Sequence, residues 1–286
     1  MIIVPIFAMI GRIVLLGSER LFIKRLEKYD SMVVASLFFL LASIFLLPSI
    51  VINNEQFTYS EIYQSRWSMV SSLVYAIGFY CYVYAIKLED TSLIAPLYNS
   101  SLIWLFFLSY LFLEDPITSL RLFGAVLIFF GVFLLYPGSF HNRFNELLKS
   151  KGSLIMILGS FFLAIGRIID TMNIEFSNPG VYAIMMNFFV GFYLLLPSIV
   201  SRKGKQIREI MNNNRKDITF AAFANGWSYL FLLIALQELP VTIAEPLSLI
   251  SIFVTAYLGK KFLKEIIIHR IPGMITIIIG SILLFL

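Results

Sequence analysis

The sequence predicts an all-α polytopic membrane protein, its ten transmembrane helices arranged as two inverted five-helix repeats. Three observations lead there. The 286-residue chain is 59% hydrophobic and 14% charged, with a mean hydropathy of +0.87, whereas soluble domains run near roughly 45–50% apolar and about 25% charged. The stretch Ala85–Leu135 recurs as Ala235–Phe285, with Ala85/Ala235, Pro96/Pro246, Leu97/Leu247, Ser101/Ser251, Leu108/Leu258, Phe112/Phe262 and Leu113/Leu263 coinciding. Each copy extends to five apolar segments, and an odd number of spans obliges the second copy to enter the membrane upside down.

The segments, in order, are 2–22, 31–53, 67–87, 92–113, 119–137, 152–173, 180–200, 217–236, 241–262 and 269–286. Each is near the twenty or so residues that a bilayer crossing takes, and charged flanks bound most of them. Gly11-Arg12-Ile13 in the first segment returns as Gly166-Arg167-Ile168 in the sixth. Leu46-Leu47-Pro48-Ser49-Ile50-Val51 in the second returns as Leu195-Leu196-Pro197-Ser198-Ile199-Val200 in the seventh. The repeats are therefore 1–137 and 152–286, joined by a linker at 138–151. Met1–Leu16 has no basic region before it and no small-residue cleavage site after it, and it matches Leu154–Ile169. A retained first helix is expected.

Charge sets the expected orientation. Loops after the odd-numbered spans carry Arg20, Lys24, Arg25 and Lys28, then Lys87, then Arg143, Lys149 and Lys151. They continue with Arg202, Lys203, Lys205, Arg208, Arg215 and Lys216, then Lys260, Lys261, Lys264 and Arg270. The opposite loops hold Arg66 and Arg121. Cytoplasmic loops are the ones enriched in Lys and Arg, so both termini are expected outside the cell membrane. The net charge of +5 points to the lipid bilayer as partner, with no nucleic acid expected. The run from Arg202 to Arg208 reads as a solvated loop at anionic headgroups.

Several chemistries are excluded. Cys81 is the one cysteine, so no intrachain disulfide or thiolate cluster forms, and a small buried role is expected for it. His141 and His269 lack metal-ligand spacing, and no nucleophile elbow, phosphate loop or dinucleotide fingerprint occurs. No catalytic residue, cofactor or metal is expected. The chain does not read as an enzyme, nor as a pump hydrolysing ATP by itself.

Candidate site residues come from ionisable and polar groups inside spans, where they are costly and face a cavity or a partner. Arg12 and Arg167 occupy repeat-equivalent places and would suit a carboxylate or phosphate held in bidentate fashion. The competing role is an internal ion pair, with Asp170 or Glu245 as partner. Glu245, before Pro246 and opposite Ala95 in the other repeat, is a candidate for carrying a coupling proton or for a permanent salt bridge. Asp170 is a weaker coupling candidate because Arg167 stands beside it. Tyr98, Asn99, Asn225, Trp227 and Ser248 complete the expected substrate contacts, each weighed against interhelical hydrogen bonding or packing. Trp104 and the tyrosines 75, 80, 82 and 84 invite the same two readings.

The signature Ala85…Ala95-Pro96-Leu97…Glu114-Asp115…Gly124…Gly131 returns as Ala235…Glu245-Pro246-Leu247…Glu265…Gly273…Gly280. It resembles the drug/metabolite transporter superfamily, in its ten-helix EamA-type branch. That resemblance implies a secondary transporter of a small polar or amphipathic metabolite, a cavity lined by helices 1, 3, 4, 6, 8 and 9, and export as the commoner direction. Protons are a candidate coupling ion. The family usually keeps its termini in the cytoplasm, against the charge bias found here. Two other readings stay open: a flippase for a lipid-linked headgroup, and a non-transporting scaffold or receptor.

Overall fold

A computed structural model of the chain describes residues 3–52, 59–112, 118–137, 140–173, 177–237, 244 and 247–286. All regular elements among them are helical. Helices α1 (Ile3–Lys24), α2 (Ser31–Ile52), α4 (Trp67–Leu88), α9 (Lys151–Asn173), α10 (Pro179–Val200) and α12 (Arg215–Leu236) are single long rods. At about 1.5 Å per residue, a rod of this length matches the hydrocarbon thickness of a bilayer. Helices α5 (Thr91–Tyr98) and α6 (Ser101–Phe112) share one pass, while α7 (Ser119–Leu134) and α14 (Ile271–Phe285) close the two repeats. Six passes are apolar and long enough to cross a membrane outright. The remaining ones are the shorter α7 and α14, the charge-bearing α1, and the broken stretch that leads into α13 (Ser251–Leu258). The protein is an integral, multi-pass membrane protein.

The four most extensive helix pairings are α4 on α9, α7 on α14, α2 on α10 and α1 on α12. Every one joins one repeat to the other. They also map onto each other: α1 corresponds to α9 and α12 to α4, so the first and last named pairs are images of a single contact. Helix α6 packs on α9 as α13 packs on α1. Lipid-exposed Phe7, Ile10 and Val14 lie on one side of α1. Arg12, Leu16 and Glu19, at helical spacing, share another.

Glycine permits the closest pairing. A Cβ at Gly273 would sit 2.7 Å from the Gly131 carbonyl oxygen, and one at Gly280 would sit 2.7 Å from that of Gly124. Backbones of α7 and α14 therefore touch directly, as small residues allow between membrane helices. Cys81 is buried, with its Cβ over Gly159 of α9.

The structure adds detail to the sequence reading at four places. The single span expected at 92–113 is broken between α5 and α6. Pro96 removes one backbone donor, and the amides of Asn99 and Ser100 turn back three residues to Pro96 and Leu97. The Asn99 side chain donates to the Ala95 carbonyl at 3.0 Å and the Ser100 hydroxyl to that of Leu97 at 2.7 Å, so the break leaves these carbonyls satisfied. The second repeat bends likewise between Ser248 and Ser251. The linker contains a helix, α8 (Phe140–Lys149). Part of the basic loop is α11 (Gly204–Asn213), whose Ile207, Ile210 and Met211 follow helical spacing and meet the core. Finally, Arg20 belongs to α1 rather than to the following loop, and it is 1% exposed.

Candidate functional site

Two adjoining chambers lie among the helices, sharing Arg12, Leu16, Tyr75, Tyr98 and Arg167 as walls. One continues to Asn99, Ser101 and Ser248; the other continues to Glu19, Tyr82, Asn225, Ser228 and Tyr229. Each encloses a volume of about 40 Å³, room for a few waters or one compact polar group. The walls come from α1, α4, α5, α6, α9 and α12, with Met186 from α10 and Ser248 just before α13.

Arg12 is buried at the middle of α1. Its Nε donates to the Ser248 hydroxyl at 2.8 Å and its Nη1 to the Ser228 carbonyl at 3.0 Å. The Ser248 hydroxyl donates in turn to the Ala244 carbonyl at 2.9 Å, so the broken stretch before α13 and helix α12 together position Arg12. Arg167 enters from α9, at the repeat-equivalent place, and lines both chambers. The fold brings these two repeat-equivalent side chains to the same walls.

Asp170, one turn beyond Arg167, does not line either chamber. Three tyrosines enclose it: Tyr182 donates to Oδ1 at 2.5 Å, while Tyr75 and Tyr229 donate to Oδ2 at 2.7 and 3.0 Å. These donors stand on α10, α4 and α12, so one buried carboxylate fastens four helices. Buried charge is tolerated where hydrogen bonds replace its water, and three phenols do that here.

Glu19 contrasts with it. The side chain is 2% exposed. Its Oε1 accepts from Tyr82 at 2.9 Å, while Oε2 has no hydrogen-bond partner. Beside it, Arg20 donates to Thr255 at 3.1 Å and lies 5.5 Å from the centre of the Tyr98 ring. Tyr98 in turn meets Tyr82 edge to face, with centroids 5.4 Å apart.

The other expected residues divide. Tyr98, Asn99, Asn225 and Ser248 line the chambers. The Asn225 amide also donates to Asn187 on α10 at 3.0 Å. Trp227 faces elsewhere: its indole donates to the Phe45 carbonyl on α2 at 3.1 Å, and the ring packs between Phe223 and Phe231. Trp104 packs edge to face on Phe161, and Tyr80 stacks on Tyr84. Glu245 lies outside the described residues. Glu19 escaped the sequence reading altogether, although it stands seven positions after Arg12 and hence on the same face of α1. No cluster of His, Cys, Asp and Glu among the described residues is arranged to hold a metal.

A larger groove of about 400 Å³ runs between α2 and α10, lined by Ser43, Ile44, Leu47, Ile62, Ile184, Met185, Phe188 and Phe189. It is apolar and shares no wall with the arginine chambers. Among the described residues no charged group lines it, so the polar chambers are the better candidate site.

Comparison with known proteins agrees with this architecture. Residues 3–136 and 150–286 match the EamA-like transporter family. No curated protein matches the chain. A solved structure described only as "Crystal structure of protein" aligns with a TM-score of 0.57 at 11% identity, covering 97% of this chain and 95% of that one. At that identity the likeness concerns the fold alone.

Proposed function

The chain belongs to the EamA-like transporter family, and from that premise we propose that it is a secondary transporter for a small metabolite bearing a carboxylate or phosphate. The observation that carries this reading is that Arg12 and Arg167, one from each repeat, line the same enclosed polar space. A guanidinium offers paired donors matched to a planar or tetrahedral oxyanion, and the surrounding tyrosines, asparagines and serines add donors and ring faces. The chambers suit a compact anionic head rather than a drug-sized ligand, which needs about 300 Å³ or more. Alternating access follows from exchange between the inverted repeats. Export is the direction favoured by family habit.

The lipid-headgroup flippase predicts a polar cavity that reaches the lipid face. The lipid-side groove is apolar and separate from the arginines, which favours a soluble substrate. The scaffold reading predicts a closed core with Arg12 and Arg167 fully paired and no accessible cavity.

The test is solute counterflow in proteoliposomes with labelled carboxylates and phosphates. Arg167→Leu is expected to lose transport while keeping its elution profile and unfolding temperature; full counterflow in that variant would refute the assignment. For orientation, the charge bias puts both termini outside. Because the native Cys81 is buried, a cysteine placed at Leu286 and labelled with a membrane-impermeant maleimide in intact cells reads this with little background. Labelling only after lysis would reverse the topology.

A further inference from the structure

We propose that Glu19 is the proton-carrying group of this site, taking up one proton as an anion settles on Arg12 and Arg167. The inference rests on the anion-transporter reading above and extends it to coupling. Among the described residues that line the two chambers, Glu19 is the one carboxylate. Its Oε2 is buried, has no hydrogen-bond partner, and belongs to a side chain that forms part of the chamber wall. A proton can be added there without breaking an existing bond. Asp170 differs, since both its oxygens already accept from tyrosine hydroxyls.

The groups around Glu19 set the sign of the coupling. Arg12 and Arg20 stand on its own helix, Tyr75 and Tyr82 on α4, Tyr98 on α5, Arg167 on α9 and Tyr229 on α12. All are cations or phenols. Among the described groups that line the two chambers, the Glu19 carboxylate is the one anion in this surround. A second anion arriving on Arg12 and Arg167 shares the same low-dielectric space, and two like charges there repel strongly. Protonation of Oε2, by a proton from the aqueous phase, removes the repulsion and turns that oxygen into a donor facing the chamber. Linkage makes the effect reciprocal: lower pH tightens anion binding, by about tenfold per pH unit wherever one full proton is taken up.

Two measurements on the full-length protein in lipid nanodiscs test this. The first uses no ligand: among the carboxylic-acid carbonyl bands that grow on acidification, infrared titration is expected to show one that is missing from Glu19→Gln and shifted in Tyr82→Phe, which removes the one donor to Oε1. A set of bands unchanged between the wild type and Glu19→Gln overturns the proposal. The second adds benzoate, with inorganic phosphate as a second probe, in weakly buffered solution containing a pH indicator. Uptake of one proton per bound anion is expected in the wild type and in Glu245→Gln; in Glu19→Gln no uptake is expected and affinity becomes independent of pH. Uptake that survives in Glu19→Gln but vanishes in Glu245→Gln overturns it. If neither probe binds, the anion reading fails and the coupling proposal falls with it, while the infrared titration still reports separately whether Glu19 protonates.

Discussion

Removing the Glu265 carboxylate is expected to open one end of the bundle. This side chain follows the π turn Gly259–Leu263 and a left-handed Lys264, with φ of 60°, and reaches across to the first turn of α5. There it accepts from the Thr91 amide at 2.9 Å, the Thr91 hydroxyl at 2.8 Å and the Ser92 amide at 2.9 Å. It thus caps a helix that belongs to the other repeat. Both amides belong to buried residues. Glu265→Ala leaves them without an acceptor, and a hydrogen bond to a charged group contributes about 1.5–3 kcal/mol. The Thr91 hydroxyl can rotate to another acceptor, so the loss is set by the two amides, about 3–6 kcal/mol in total. For a chain of this size each kcal/mol moves the unfolding temperature by roughly 2–4 °C, giving a fall of about 6 °C or more. The assay is thermal unfolding of purified protein followed by fluorescence-detected size exclusion. Glu209→Ala, which alters an exposed carboxylate on α11, is the control and should change stability by about 0.5 kcal/mol or less. If Glu265→Ala unfolds together with Glu209→Ala, the capping argument is wrong.

Three further outcomes are expected. Gly273→Ala places a methyl 2.7 Å from the Gly131 carbonyl oxygen and 2.8 Å from the Leu135 nitrogen; backbone cannot yield as a side chain does, so a loss of about 1–3 kcal/mol is expected, and unchanged stability in the same assay would argue against the direct helix contact. Tyr182→Phe removes one of three donors to Asp170 and should cost about 1.5–3 kcal/mol without altering the pH dependence of anion binding; an altered pH profile would mean that Asp170 takes part in coupling. Asp30 joins the start of α2 to Lys203, 2.7 Å away. Its partial burial alone would raise the carboxyl, but Lys203 and the Val33 and Met32 amides together hold it below the usual aspartate value. A depressed folded value means stabilisation present above the unfolded value and lost as pH falls through the folded one. Asp30→Asn should therefore lower the unfolding temperature by a constant gap down to about pH 4, with the gap closing in stronger acid; a gap that persists there would exclude the ionised carboxylate as its source.

The helices were legible because a bilayer demands long apolar runs and the duplication shows each run twice. Arg12 and Arg167 were legible for a related reason: a guanidinium inside such a run has few bland explanations, and two at matching places have fewer. What hydropathy hides is where a helix breaks. Pro96 signals the break after Tyr98 weakly, since Pro48 and Pro197 sit inside helices that continue without interruption. Hydropathy also blurs the charged end of α1. Arg20 and Lys24 read there as loop cations, and Glu19 went unread with them; the seven-residue step from Arg12 was the available signal. Trp227 shows the opposite difficulty. Its polarity and depth fit a ligand contact equally well, but its indole serves a carbonyl on α2, and composition carries no trace of that choice.

The clasp that Glu265 and Arg270 make on α5 has a second meaning. Arg270 also reaches Asp90 at 2.6 Å and the Ser92 hydroxyl. In the first repeat, Asp115 stands where Glu265 stands in the second, Arg121 corresponds to Arg270, and Asp90 is answered by Pro240. A protein whose halves were identical and inverted would have two mirror-image resting states of equal energy, and nothing would favour one side of the membrane. Here the clasp on α5 includes Asp90, whose sequence counterpart in the other repeat is Pro240. A difference of a few kcal/mol between two such states is enough to leave the minor one at a few per cent or less. The exchange of aspartate for proline at one of two sequence-equivalent corners leaves the two halves chemically unequal at this clasp.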